Sequence, residues 1–407
     1  MKKSGLKNRR DFLKTGLVGA AGMTVFACSS SKTDSEAETK SDTKKKLVHR
    51  KLGNTGIELP IVSLGTGDTS DPGLIKAALD GGVKLLATSQ YYGNGSNEKM
   101  VGEVVKNSDK DSIIIVTSAS PEDFNHREGV FNKGAKVEPF IEKIDKSLMQ
   151  LGVECVDIFL LPFMAKKESV FYEPYLRAME DIKKQGKARF IGIATHSHED
   201  EAIRAAVEAK IYDVAMVAYN FRKKNRDEIG EAMAFASKQG MGIIAMKTMA
   251  GAFWDEGRTE PINSEAALKW VLQNENVHTT VPGVMTYDQL EKDLALMADL
   301  SLSDAEKADL KLSLHERPDG PFCQQCGSCV PQCTKSLDIP TLMRSHMYAY
   351  GYRNLAHAQE TLSSVVSGTD PCGGCATCSV SCAMDFNVRS KIAKVARLND
   401  VPGEFLV

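Results

Sequence analysis

"ARFIGIATHSHEDEAIRAAVEAKIYDVAMVAYN", residues 188–220, decides the fold. It reads as strand, helix, strand. Two apolar runs, "ARFIGIAT" and "YDVAMVAYN", flank "EDEAIRAAVEAK", which is rich in good helix formers. Strands that stay apolar on both faces belong to a parallel sheet covered on both sides. A half-exposed sheet would show a polar residue at every second position.

The same alternation extends outward from residue 59 to residue 299. The remaining strand candidates are "LPIVSLG", "VKLLATS", "SIIIVTS", "CVDIFLLPF", "GIIAMKT" and "HTTVPGV", each followed by an amphipathic, Glu/Lys-rich stretch. Gly81, Gly152, Gly186 and Gly240 stand where helices should stop. Eight such units predict an α/β fold, a (β/α)8 TIM barrel over residues 48–300, with chemistry at the C-terminal ends of the strands. "RKLGNTGIELP", just before the first unit, reads as a hairpin across the barrel floor.

A chain of 407 residues leaves room beyond one barrel. The net charge of −2 gives no footing for nucleic acid or a polybasic membrane contact. After "SDAEKADLKLSL", read as a linking helix within residues 301–320, eight of the ten cysteines fall in two groups. Cys323, Cys326, Cys329 and Cys333 form one, and Cys372, Cys375, Cys378 and Cys382 the other. Both read C-x2-C-x2-C-x3-C, the bacterial ferredoxin run, in which the fourth cysteine serves the other cluster. Cys323, Cys326, Cys329 and Cys382 are therefore assigned to one 4Fe-4S cluster, and Cys372, Cys375, Cys378 and Cys333 to a second. Thr334 and Ala383 replace the proline usual after each run. Zinc and disulfides are the competing readings; three cysteines in seven residues, twice over, overcrowd a tetrahedral zinc site. The helical, aromatic stretch "IPTLMRSHMYAYGYRNLAHAQETL" is read as packing around the clusters, completing an α-helical ferredoxin-like unit over 321–407. Cys155, alone at a strand start, reads as a buried small hydrophobe.

Residues 1–28 combine a basic start with a short apolar run, too short for a mature membrane span. "RRDFLK", with Arg9 and Arg10 before Phe12, Leu13 and Lys14, resembles the twin-arginine export signal. "VFAC" resembles a lipobox and makes Cys28 the candidate lipidation site; plain cleavage after Ala27 is the alternative. Residues 29–47 are polar, charged and low in complexity, a tether. The resemblance implies a periplasmic protein or membrane-anchored lipoprotein, exported already folded, so that clusters loaded in the cytoplasm travel inside it.

"RKLGNTGIELPIVSLGTG", "YYGNGSNEKMVGE" and "TVPGVMTYDQLEKDL" resemble the aldo/keto reductases over about residues 48–300. The paired cysteine runs resemble the ferredoxin-like tail of one branch of that superfamily. The resemblance implies NADPH-dependent carbonyl reduction by an Asp–Tyr–Lys–His tetrad. Position by position, Ala87 stands at the aspartate, Ser118 at the lysine and Pro162 at the histidine; Tyr92 alone matches. On the cofactor side, Ala194–Thr195, Met216 and Met285 replace the expected nicotinamide- and phosphate-binding residues. Gly283 and the helix start at Thr286 remain, and a helix start can hold a phosphate. NADP(H) is therefore not indicated.

A phenol without its lysine partner is a poor acid near neutrality. Tyr92 is the single catalytic candidate, with loop packing as the competing reading. Lys247 and Asn220, at the ends of strands seven and six, are candidates for ligand or cofactor binding. His196 and His198 read as mouth residues or as part of a helix cap around Ser197 rather than a metal pair. The best functional reading is an exported iron–sulfur oxidoreductase moving electrons between two 4Fe-4S clusters and a ligand in the barrel mouth. The alternatives are a non-catalytic electron-transfer or scaffold subunit and an ordinary NADPH carbonyl reductase. The redox partner is an unidentified protein.

Overall fold

The computed structural model describes residues 47–109, 112–312 and 322–406. The twin-arginine stretch, Cys28 and the tether up to residue 46 lie outside the described residues. Among the described residues no helix is long and apolar enough to cross a membrane.

The chain first makes a hairpin, β1 (His49–Lys51) and β2 (Glu58–Pro60), in antiparallel register. Gly53 lies at φ 51° with its backbone pressed against Gly240 and Gly242, so a side chain there would run into the Gly240 carbonyl. This contact fixes the hairpin beneath the strand that starts at Gly242. Leu52, Ile57 and Leu59 plug the barrel interior from below.

Eight parallel strands follow: β3 (Leu64–Gly65), β4 (Leu85–Ala87), β5 (Ile114–Ser118), β8 (Val156–Leu161), β9 (Ala188–Thr195), β10 (Val214–Ala218), β11 (Gly242–Met246) and β12 (Thr279–Thr280). They pair in chain order, and parallel bridges Val62 to Thr280 and Gly65 to Gly283 close the first strand onto the last. The intervening β6 (Phe124–Asn125) and β7 (Val130–Phe131) form a small hairpin in the loop after β5. Apolar side chains point both ways from the longer strands. Leu85, Val116, Ile158, Val214 and Ile244 fill the interior, while Ile115, Phe159, Ile191 and Ile243 pack outward.

The outer ring is α1 (Pro72–Asp80), α2 (Ser96–Lys106), α3 (Glu138–Leu151), α4 (Glu173–Lys184), α5 (Glu199–Ala209), α6 (Arg226–Lys238), α7 (Ser264–Leu272) and α8 (Tyr287–Ala295). Local chemistry sets their ends. Asp71 accepts from the Gly73 amide with Pro72 in the first turn, and Gly152 ends α3 in the left-handed region at φ 66°. The structure thus has the (β/α)8 architecture that the alternation predicts.

Beyond the barrel, α9 (Asp304–Asp309) is a capping-box helix of six residues, so the described part of the expected linking helix stops well short of residue 320. The C-terminal unit is built from α10 (Ile339–His346), a π-helical segment (Met347–Tyr352), α11 (Leu355–Ser363) and α12 (Val388–Ala396) around a core of its own. It sits over the barrel mouth. Tyr91 Oη donates to Thr361 Oγ1 at 3.2 Å, Asn354 Nδ2 to Asp68 Oδ1 at 3.2 Å, and Lys224 Nζ to the Ala383 carbonyl at 3.3 Å. Arg258 also donates to the Gly351 carbonyl. The ends of the barrel strands therefore face the cysteine-bearing unit rather than open solvent.

Candidate active site

The cysteines gather across the two sequence runs. Cys323 lies within electrostatic range of Cys326, Cys329 and Cys382; Cys372 lies within range of Cys375, Cys378 and Cys333. Each three-cysteine loop is thus completed by the last thiol of the other run. Burial, reinforced by neighbouring thiols, pushes Cys323 up to about 12 and Cys329 up to about 11, and raises Cys372. Thiols packed this way ionise readily only when a cation compensates them, which is what iron provides. All eight are unbridged. Among the described residues no three metal-binding side chains converge as tightly as one ion requires. Three thiols in seven residues, twice over, overcrowd a single zinc but suit a cube whose last iron takes a thiol from elsewhere. The thiol sets fit 4Fe-4S clusters.

Between the barrel mouth and the C-terminal unit lies a cavity of about 850 Å³. Its wall includes Ala87, Ser118 and Pro162, the three positions that lack the tetrad side chains, together with Tyr92. Tyr92 follows β4 in a short turn, its ring against Gly67 and edge-on to His357 at 5.3 Å. Its hydroxyl has no hydrogen-bond partner among the described residues and opens to the cavity. Burial pushes it up to about 12, even with Lys247 acting in the opposite direction.

Lys247 lines the same cavity, within electrostatic range of Tyr92. It follows β11 at φ 57°, and Asn220 Nδ2 holds its carbonyl at 3.0 Å. Asn220 itself is engaged with this carbonyl and the Arg222 amide, and so shapes the Lys247 turn from behind. Lys247 Nζ donates to Tyr348 Oη at 3.2 Å and lies 4.6 Å from the centre of that ring and 5.7 Å from that of Tyr352. Burial works against its charge, but the three tyrosines Tyr348, Tyr352 and Tyr92, with Asp68, outweigh burial and hold the ammonium above its usual range.

Gly283 also lines the cavity, with Asp68 leaning over the place where a side chain would project. Thr286 caps α8 by accepting from the Gln289 amide, and the Met285 amide donates to Gln289 Oε1 at 2.8 Å. The free N–H groups at this helix start are thus partly spent on the protein, a carboxylate stands beside Gly283, and Met285 supplies no cation. These residues do not fit an NADPH phosphate group.

His196 lines the cavity; its Nδ1 is buried without a partner. Burial first, then Arg344, Lys247 and Lys223, hold it well below its usual value, so it is neutral. His198 starts α5 at φ 50°, and no side chain caps that helix, so Ser197 does not act as the cap the sequence allows. Cys155 is exposed at the foot of β8, a correction to its reading as a buried hydrophobe: it precedes the first buried residue of the strand, Val156. The aromatic stretch 339–362 is also corrected in part. Met343 and Leu342 pack in the cluster unit, but Tyr348, Tyr352 and His357 turn toward the barrel cavity. Together with Arg344 they are the site residues that barrel-based reasoning missed. The one sequence signal was the density of polar-tipped aromatics in "MYAYGYRNLAH".

Residues 67–266 match the aldo/keto reductase family, and residues 322–387 match a 4Fe-4S dicluster domain. Morphine 6-dehydrogenase of Pseudomonas putida is 26% identical over 288 residues, covering 63% of this chain and 88% of that protein. L-glyceraldehyde 3-phosphate reductase of Escherichia coli K12 is 23% identical over 320 residues, covering 64% and 91%. A holo-form aldo-keto reductase from Bacillus halodurans superposes with a TM-score of 0.52 at 18% identity, over 66% of this chain and 96% of that one, which is a likeness of fold. The closed barrel, the tyrosine after its second strand and the paired cysteine loops above the mouth lead to one assignment: the chain carries an aldo/keto reductase domain over residues 67–266 and a 4Fe-4S dicluster domain over residues 322–387.

Proposed function

We propose that this iron–sulfur oxidoreductase is exported by the twin-arginine route, anchored through Cys28, and moves electrons between two 4Fe-4S clusters and a small molecule held in the barrel mouth. One observation carries the reading. A second cavity, of about 400 Å³, is walled by Gln325, Cys326, Gly327 and Ser328 of the first cysteine loop, and it shares His126, Phe163, His196 and Arg344 with the main cavity. The first ligand loop therefore lines a cavity that shares a wall with the space where a ligand would sit.

When bound, the clusters supply one-electron transfer. The chain's own residues do the rest. The barrel wall, with Ala87, Ser118 and Pro162 in place of larger polar groups, leaves room for a ligand. Tyr92 presents an unpartnered hydroxyl to it, and Lys247 keeps a positive charge beside Tyr92 and Tyr348. Neutral His126, pushed down to about 3 by burial and by Arg344, adds no competing charge. A closed, filled mouth would favour the scaffold reading; the open cavity favours an enzyme. A Klebsiella pneumoniae aldo-keto reductase with a TM-score of 0.50 was crystallised with NADPH. The crowding at Gly283 and the Met285 side chain argue against that cofactor here.

Anaerobic purification with iron and sulfide analysis tests the proposal. About eight irons per chain, reducible by dithionite, with electrons passed on to a carbonyl compound but no oxidation of NADPH, are expected. Iron-poor, colourless material overturns the redox reading, and NADPH-driven turnover overturns the exclusion of that cofactor.

A further inference from the structure

The wall shared by the two cavities has a chemical bias that the redox reading leaves unused. Arg344 projects from α10 with its guanidinium 5.6 Å from the Phe163 ring centre, and its Nη2 donates to Thr341 Oγ1 at 3.2 Å. Neither Arg344 nor Lys247 has a carboxylate within ion-pair distance among the described residues. Both side chains are half-buried, and a cation partly withdrawn from water normally recruits a counter-charge, because an uncompensated one is costly to desolvate. His196 lies within electrostatic range of both, and its buried Nδ1 is without a partner. The acidic groups named in the cavity wall have other hydrogen-bond or ion-pair partners. Asp68 holds Asn354, and Glu360 accepts from the Asn94 amide at 3.3 Å and faces His357. Glu122 pairs with Lys143 at 3.2 Å. The cavity therefore has a cationic corner in which Asp68 compensates Lys247 only from beyond ion-pair distance and no carboxylate pairs with Arg344.

We propose that this corner, formed by Arg344, Lys247 and His196, binds the carboxylate of a small carbonyl compound of the 2-oxo acid type. The planar guanidinium suits a carboxylate held through two oxygens, and the flat ring of Phe163 keeps the fork oriented. His196, neutral, offers its ring N–H rather than a further charge. The carboxylate lies at Arg344, on the side nearest the Cys326 loop, and the adjacent carbonyl points toward Lys247 and the Tyr92 hydroxyl. Both domains contribute: Arg344 comes from the C-terminal unit, Lys247 and His196 from the barrel. The inference rests on the mouth being the ligand site of the proposed function.

Oxamate and its uncharged amide, oxamide, are near-isosteric probes that separate charge from shape. Titrated calorimetrically into the anaerobically purified full chain, oxamate is expected to bind at least about tenfold more tightly than oxamide. Arg344→Gln should remove that preference while leaving iron content and visible spectrum unchanged, and Arg344→Lys, which keeps the charge without the fork, should retain part of it. Absent oxamate binding, equal binding of the two probes, or undiminished oxamate binding by a cluster-replete Arg344→Gln chain overturns the proposal. Dithionite bleaching of the same samples reports the redox reading separately. Bleaching without an oxamate preference defeats the anion site alone; an oxamate preference in iron-free protein defeats the redox reading alone.

Discussion

Lys247 and Tyr348 meet across the two domains, ammonium to phenol oxygen, at 3.2 Å. The lysine comes from the end of the seventh barrel strand and the tyrosine from the π-helical turn of the cluster unit. π-helical turns recur where a side chain must be re-aimed at a functional site.

Lys247→Met should therefore leave the clusters in place and reduce electron delivery to a bound carbonyl compound by about 10²-fold or more, if the cation assists proton transfer there. Tyr348→Phe, removing one hydrogen bond, should cost about 0.5–1.5 kcal/mol of stability. Turnover with a reduced dye as donor, beside thermal unfolding, checks both. A Lys247→Met chain as active as the parent removes the lysine from the mechanism.

The crossed thiol grouping makes a prediction that the order of residues alone would reverse. Cys382→Ser should abolish the same paramagnetic signal as Cys323→Ser, and Cys333→Ser the same signal as Cys372→Ser. Each variant is expected to lose about half the iron. If Cys382→Ser instead matched Cys372→Ser in its spectrum, the clusters would follow the sequence runs.

Glu199 and Lys223 form an ion pair with side chains only 1% and 7% exposed, tying the start of α5 to the loop after β10. Lys223→Met would strand a carboxylate in the interior. A loss of about 3–5 kcal/mol is expected in denaturant titrations, and the double variant Glu199→Gln with Lys223→Met should recover most of it.

Asp293, on α8, is 3% exposed, and burial pushes it up to about 7, with Glu265 adding to the effect. Its unfolded value is about 4, so the folded chain binds the extra proton between those limits. The stability it contributes is complete below about pH 4 and is lost as pH rises toward 7. Asp293→Asn should match the parent near pH 4 and exceed it above pH 7, by on the order of 4 kcal/mol at most. Urea midpoints of the two chains across that range measure the difference. A constant difference would show that Asp293 does not titrate on folding.

The sequence by itself determined the elements and the grouping of eight thiols into two runs. Eight buried strands followed by amphipathic helices have one economical closure, and period and helix caps are local properties that a chain displays in one dimension. The cysteine spacing is equally local, because three thiols in seven residues wrap one metal cluster wherever the loop is carried. It also located Tyr92, Ala87, Ser118 and Pro162, which sit at strand ends and so reach the mouth as soon as the barrel closes. Only the tertiary structure decided what faces them. Arg344, Tyr348 and His357 stand nearly a hundred or more residues from Lys247, on helices whose pattern also fits ordinary core packing, and no periodicity records which element will roof a barrel. Cys155 shows the same limit in small: whether a thiol at a strand's edge is covered depends on packing from elsewhere in the chain. Docking of one folded unit on another is set by the complementary shape and charge of finished surfaces, and those exist only after both have folded.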